Sequence, residues 1–180
     1  MNAIGKVFVI LVTMVLLYLV PTYYTYQRHD DMSNMLVQKA TTTFVDAVRD
    51  KGYITPQMYN DFTRDVQSTG NTYEIVMTHE KKKYDPVYNS AGVFGNSVNV
   101  NYDMYYGDDI LPIMFPNNST AIDSDSRRYK LNTGDFFYVK IINTNRTNAA
   151  IVQDMLNGKI AESNIRILIT YGGMVYNEDY

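Results

Sequence analysis

From Val7 to Tyr26 the chain runs for 20 residues without a charge, VFVILVTMVLLYLVPTYYTY. As a helix rising 1.5 Å per residue, this stretch spans about 30 Å, the thickness of one bilayer core. Its aliphatic part ends at Val20, and Tyr18, Tyr23, Tyr24 and Tyr26 supply aromatic rings for the zone where hydrocarbon meets headgroups. The pattern predicts an N-terminal anchor over residues 1–29 containing one transmembrane helix. A cleaved secretory signal would share the charged start at Lys6 and the apolar run. Nothing after Val20 resembles a small-x-small cleavage site, however; proline, threonine and tyrosines follow instead. The uncleaved anchor is therefore the expectation.

After Asp30 the pattern becomes periodic. Val37, Ala40, Phe44, Val45 and Val48 recur at three- and four-residue steps, which predicts an amphipathic helix from Asp30 to Lys51. Asp30 and Asp31 at its start and Arg49 and Lys51 at its end complement the helix dipole. Between this helix and the anchor stands only Pro21, which can kink a continuous helix without ending it. Gly52 closes the element. Thr55-Pro56, an N-cap residue followed by proline at the first helical position, opens a second helix. Met58, Phe62 and Val66 recur along it, and Gly70-Asn71 turns the chain.

The remainder alternates with period two. Tyr73, Ile75 and Met77 form one strand face, and Val98, Val100, Tyr102 and Met104 another. Phe136 to Ile142 is apolar on both faces except for Lys140. A short helix over Asn148 to Asn157 would use Ile151, Val152, Met155 and Leu156, with Gly158 closing it. Ile165, Ile167, Ile169 and Tyr171 predict a last strand before Gly172-Gly173. Tyr105 to Asn132, with Pro112, Pro116 and a polar run, reads as loop-rich. The expected fold is α+β: an α+β domain over residues 30–180 with helices on one face of a mainly antiparallel sheet. Its core should join Phe44, Phe62, Ile75, Val139, Ile167 and Ile169.

Composition narrows the function. Hydrophobic residues make up 46% of the 180-residue chain, enough for a packed core. There is no cysteine, so disulfides, thiolate metal sites and a cysteine nucleophile are excluded. From Asp30 onward 14 Lys and Arg stand against 19 Asp and Glu, a formal charge of −5, which argues against nucleic acid as a partner. Lys6 on one side of the apolar run, and Arg28 and Lys39 on the other, leave the basic bias nearly balanced. A short basic N-terminus usually stays inside, so the domain is expected outside the cytoplasm.

Candidate chemistry is sparse. His29 borders the anchor, and His79 reads as a surface or half-buried sheet residue at a strand end, with no local partner for acid–base work. Asp108, Asp109, Asp123 and Asp125 lack the glycine and distant glutamate of a calcium loop, and Arg127-Arg128 would oppose a cation; a solvated loop is the expectation. Lys81-Lys82-Lys83 suits protection of an exposed sheet edge better than lipid phosphate binding. Asn117, Asn118 and Asn145 each begin an N-x-S/T triplet, a pattern common by chance. No catalytic residue, metal site or cofactor is expected.

The plan of an apolar N-terminal helix, an amphipathic continuation and a mainly antiparallel sheet resembles that of pilins and pseudopilins. The stretch FVDAVRDKGYITPQMYNDFTRDVQSTGNTYEIVMTH, Phe44 to His79, is similar to small anchored proteins encoded with tight-adherence (Flp-type) pilus machinery in Gram-positive bacteria. The resemblance implies a component of an appendage or secretion apparatus and brings no catalytic residues. Prepilins are processed after a glycine, with a glutamate at the fifth mature position; cutting after Gly5 would put Ile10 there. A minor, accessory or pseudopilin-like subunit therefore fits better than a major pilin. The expected partners are the membrane lipid bilayer and other proteins of a pilus or secretion assembly. On this reading Val37 and Ala40, nearest the membrane, face other subunits, while Phe44 and Val48 pack onto the protein's own sheet. The competing class is a single-pass extracytoplasmic ligand-binding or sensory module, with tyrosines and the Tyr105 to Asn132 region lining a pocket. Against a signalling receptor, the roughly six residues before the anchor leave no cytoplasmic domain. A third class, an anchored enzyme using carboxylates alone, has no pair of acids to single out.

Overall fold

The computed structural model describes residues 3–158 and 168–180. Helix α1 runs unbroken from Ala3 to Lys51, with Pro21 inside it. Its 49 residues make a rod of about 73 Å. Its N-terminal part is apolar enough to cross a membrane, and none of its most apolar window is buried. The first buried residue of α1 is Ser33; Val37, Thr41, Phe44, Val45 and Val48 follow on the same side.

A short strand β1 (Tyr53–Ile54) leads to α2 (Pro56–Gln67). Thr55 caps α2 as its sequence predicts, the hydroxyl accepting the Met58 N–H at 3.2 Å. Helix α2 folds back along α1, and the Phe62 ring stacks on Phe44 with centroids 4.4 Å apart. Strands β2 (Tyr73–Tyr88), β3 (Phe94–Tyr106), β5 (Phe136–Asn143) and β6 (Leu168–Met174) form one antiparallel sheet in the order β3-β2-β5-β6. Between β3 and β5 lie α3 (Gly107–Met114) and β4 (Tyr129–Lys130), the latter paired with β1. Helix α4 (Asn148–Leu156) connects β5 to β6.

The pairing register assigns the two faces of the sheet. His79, Met77 and Ile75 stand opposite Phe137, Val139 and Ile141, and Tyr171 and Ile169 continue the row on β6. This face meets α1 and α2, and its core joins Phe44, Phe62 and Val139, with Ile75 and Ile169 packed at its margin. Ile165 and Ile167 lie outside the described residues. Beyond the last β5 pair, Glu80 with Phe136, β2 pairs only with β3. Lys81 to Tyr88 and their partners thus form a two-stranded arm, about 27 Å long at 3.4 Å per residue. Since β2 begins beside the part of α1 nearest its apolar span and runs the same way, the arm projects from the end far from that span.

Several local expectations need correction. Lys81–Lys83 do not end a strand: β2 continues through Pro86 to Tyr88. The lysines begin where pairing with β5 stops, so they do line an edge. The loop-rich Tyr105–Asn132 region also holds a helix its sequence did not predict, Gly107–Met114, which buries Ile110 and Met114. The Asp109 carboxylate reaches back to the Tyr106 N–H at 3.0 Å, and the Arg127 guanidinium donates to the Met114 carbonyl at the other end. Strand β6 does not stop before Gly172-Gly173 but runs through them to Met174. Gly172 is required there: a Cβ would stand 2.3 Å from the Tyr138 ring lying across it. Gly52 combines a left-handed φ of +74° with the close approach of the Asn177 carbonyl. The chain after β6 then satisfies the last turn of α1, with Tyr176 N–H bonded to the Arg49 carbonyl and Asp179 N–H to that of Lys51.

Candidate functional site

Two apolar rows run along α1 above its exposed span, roughly 100° apart around the helix. One row, Val37, Phe44 and Val48, is sealed inside the domain. Val37, expected to face other subunits, is instead 0% exposed and part of the domain's own core. Phe44 and Val48 do pack inward, as expected. The second row, Met32, Leu36, Ala40 and Ala47, with Met35 on its outer flank, was not singled out in the sequence beyond Ala40. Met35 is 69% exposed and Met32 is comparably open. The signal was present as three- and four-residue steps, hidden because Leu36 and Val37 are neighbours and both are apolar.

The second row leads into a groove between α1 and α2 of about 440 Å³. Leu36, Ala40, Phe44, Met58 and Phe62 make its apolar floor, and Lys39, Asp61 and Asp65 stand among its polar lining. Ala40 is half-buried there. Asp61 is paired with Arg64 at 2.7 Å. A groove with this floor suits the apolar face of a helix.

A buried polar cluster lies at the far end of the domain. The two imidazole nitrogens of His79 contact the Tyr129 hydroxyl at 2.7 Å and Asp135 Oδ2 at 2.9 Å. Asp135 also accepts the Asn132 and Lys82 backbone N–H groups, each at 2.8 Å. An ionised carboxylate only accepts, so His79 Nε2–H donates to Asp135 and Nδ1 accepts the Tyr129 O–H. Burial lowers the His79 pKa below its usual value more than the Asp135 hydrogen bond raises it, with Lys81 adding to the lowering. Burial likewise holds the Tyr129 hydroxyl far above its ordinary range. His79 is therefore not the surface or half-buried residue its sequence context suggests. Its ring pins β2 to β4 and to the turn before β5, with both nitrogens engaged. No sequence signal could have found the cluster, since Tyr129 and Asp135 are 50 and 56 residues away.

His29 lies at the other end, in a polar recess of about 410 Å³ with Tyr26, Asp30, Asn71, Asn145 and Arg146. Of the loop acids, Asp109 serves the start of α3 and Asp125 pairs with Arg128 at 2.7 Å. Among the described residues no three His, Asp or Glu side chains gather closely enough to hold a metal ion. The sheet face away from the helices carries Val98, Val100, Tyr102 and Met104, all exposed. Tyr102 meets Phe136 edge-on at 5.8 Å, and Phe136 stacks with Tyr138 at 6.2 Å.

No protein-family model, curated protein or solved structure matches the chain.

Proposed function

We propose that this protein is a non-enzymatic, membrane-anchored subunit of a surface pilus or secretion assembly, of the pilin-like or accessory kind, with the domain outside the cytoplasm. The observation that carries the proposal is the open row Met32, Leu36 and Ala40, flanked by the exposed Met35, with the groove that Leu36 and Ala40 enter. Met35 stands nine residues past Tyr26, about 13 Å along the helix. That distance exceeds the headgroup layer of about 5–7 Å, so lipid does not account for the exposure. A neighbouring apolar helix does. The anchor would hold subunits in one plane, and the groove would give each a lateral contact. The Phe44–His79 resemblance supports the same class, and the engagement of both His79 nitrogens supports a role without catalysis.

The test uses photo-crosslinkers at Met35 and Ala40 in cells making the complete apparatus. Capture of a subunit of that apparatus is expected. Ala40→Glu should reduce the crosslink strongly, because a carboxylate closed off by a partner loses its hydration. The domain's thermal midpoint should change little, since the half-buried site opens to water without the partner. No capture at either position, together with normal appendages after gene deletion, would overturn the assembly reading and leave the ligand-binding module in its place.

A further inference from the structure

Helix α4 has its polarity reversed for a water-facing helix. The expected buried residues, Ile151, Met155 and Leu156, are exposed, Ile151 by 46% and Met155 by 77%. Ala149, Ala150 and Asp154 are buried instead. Asp154 is the helix's one charged residue, and it turns inward to meet Arg146 at 2.6 Å. Ile151 and Met155, four apart, share the outward face. Water would favour the opposite arrangement; a hydrocarbon boundary favours this one.

The position of α4 identifies the boundary. Its N-cap residue, Thr147, donates its hydroxyl to Asp30 Oδ2 at 2.6 Å. Asp30 lies four residues past Tyr26, about 6 Å of helix rise, within a headgroup layer of about 5–7 Å. The chain enters α4 from the end of β5 and returns at the start of β6, where Ile142 pairs with Leu168. Both points lie at the end of the sheet nearest the apolar span, so α4 forms the floor of the domain beside α1. The polar recess with His29, Asn71, Asn145 and Arg146 opens at the same level, as suits groups among headgroups.

We propose that α4 is a second membrane contact: its Ile151–Met155 face seats in the headgroup–acyl boundary of the bilayer that α1 crosses. The proposal rests on α1 spanning that bilayer. Two contacts at one level restrain the tilt of the domain, which a single helix leaves free. The domain's groove and distal arm would then be held at set heights above the membrane.

The chain has no cysteine, so single labels can be placed cleanly. The full chain is reconstituted at low protein-to-lipid ratio in phosphatidylcholine–phosphatidylglycerol vesicles. Leu16→Cys, Met155→Cys and Tyr84→Cys each carry an environment-sensitive fluorophore and are challenged with lipid-borne and aqueous quenchers. Lipid-borne quenching is expected at Leu16 and Met155, several-fold stronger at Met155 than at Tyr84 on the arm. Met155 quenched only from water, with Leu16 quenched from lipid, would overturn the α4 contact and leave the anchor standing. Leu16 unquenched from lipid would overturn the anchor and the α4 contact with it. Ile151→Lys in the Met155→Cys background should cut the lipid quenching at Met155 severalfold. An unchanged circular dichroism spectrum shows that this variant still folds, and undiminished quenching in it would also count against the seating.

Discussion

From Ala3 to Met32 no residue of α1 is buried, whereas from Ser33 to Val48 one side of the same helix is closed by the sheet. Within the lower half, Val7 to Tyr26 carries no charge on any side; the upper half divides its apolar residues between a covered row and an open one. One backbone therefore meets three surroundings: exposed where lipid is expected, the domain's own core, and an open row leading to a groove. The difference separates two kinds of exposed hydrophobic residue. Those at Leu16 lie within a bilayer's depth of the span and need no protein partner. Those at Met35 lie about 13 Å past Tyr26, beyond that depth, and on the proposed assembly a neighbouring subunit would cover them.

The largest effect should come from breaking the upper half alone. Phe62→Ala removes the ring stacked on Phe44 and should destabilise the domain by about 3–5 kcal/mol, read as a lower thermal midpoint. Membrane insertion should be unaffected; a midpoint that did not move would show that α2 does not close the core. Breaking the lower half should cost slightly less. Leu16→Arg should impair insertion by about 2.5–3.5 kcal/mol, while the domain's midpoint stays put. Full insertion of this variant in a translocon assay would deny that Val7 to Tyr26 spans the bilayer.

The smallest effect is a pH dependence confined to the upper half. His79 is buried, faced by Asp135, Tyr129, Tyr105 and Lys81, and burial sets its folded pKa below the usual value. Near pH 6.5 the unfolded chain therefore binds more proton at this side chain than the folded one. This contribution is fully present above about pH 6.5 and declines as pH falls below it toward the folded pKa. The thermal midpoint should drop on acidification from neutral pH, with a shallower slope in His79→Gln. Equal slopes in the two proteins would assign the acid sensitivity elsewhere.

Much of this fold is legible along the chain. Thr55-Pro56 announces α2 because a cap is a local event, completed within three residues at Met58. The alternation of Tyr73 to Met77 and of Val98 to Met104 predicts strands for the same reason. The α3 helix is hidden in the sequence because Pro112, Pro116 and the polar run after them read as loop. Its ends are completed by Asp109 and by Arg127, the latter 13 residues past the carbonyl it serves. The lysines at 81–83 read correctly as edge residues, but the edge exists only because β5 ends at Phe136, far along the chain.

The sequence by itself determined the apolar span, the helical periodicity after Asp30 and the alternation of the sheet, since each depends on neighbours a few residues apart. The tertiary structure alone decided which apolar row of α1 is covered, that His79 is buried against Asp135, and that α4 turns Ala150 inward and Met155 out. The physical reason is common to all three. A local pattern states that a face is apolar, but what covers that face is supplied by residues dozens of positions away, and burial follows the cover.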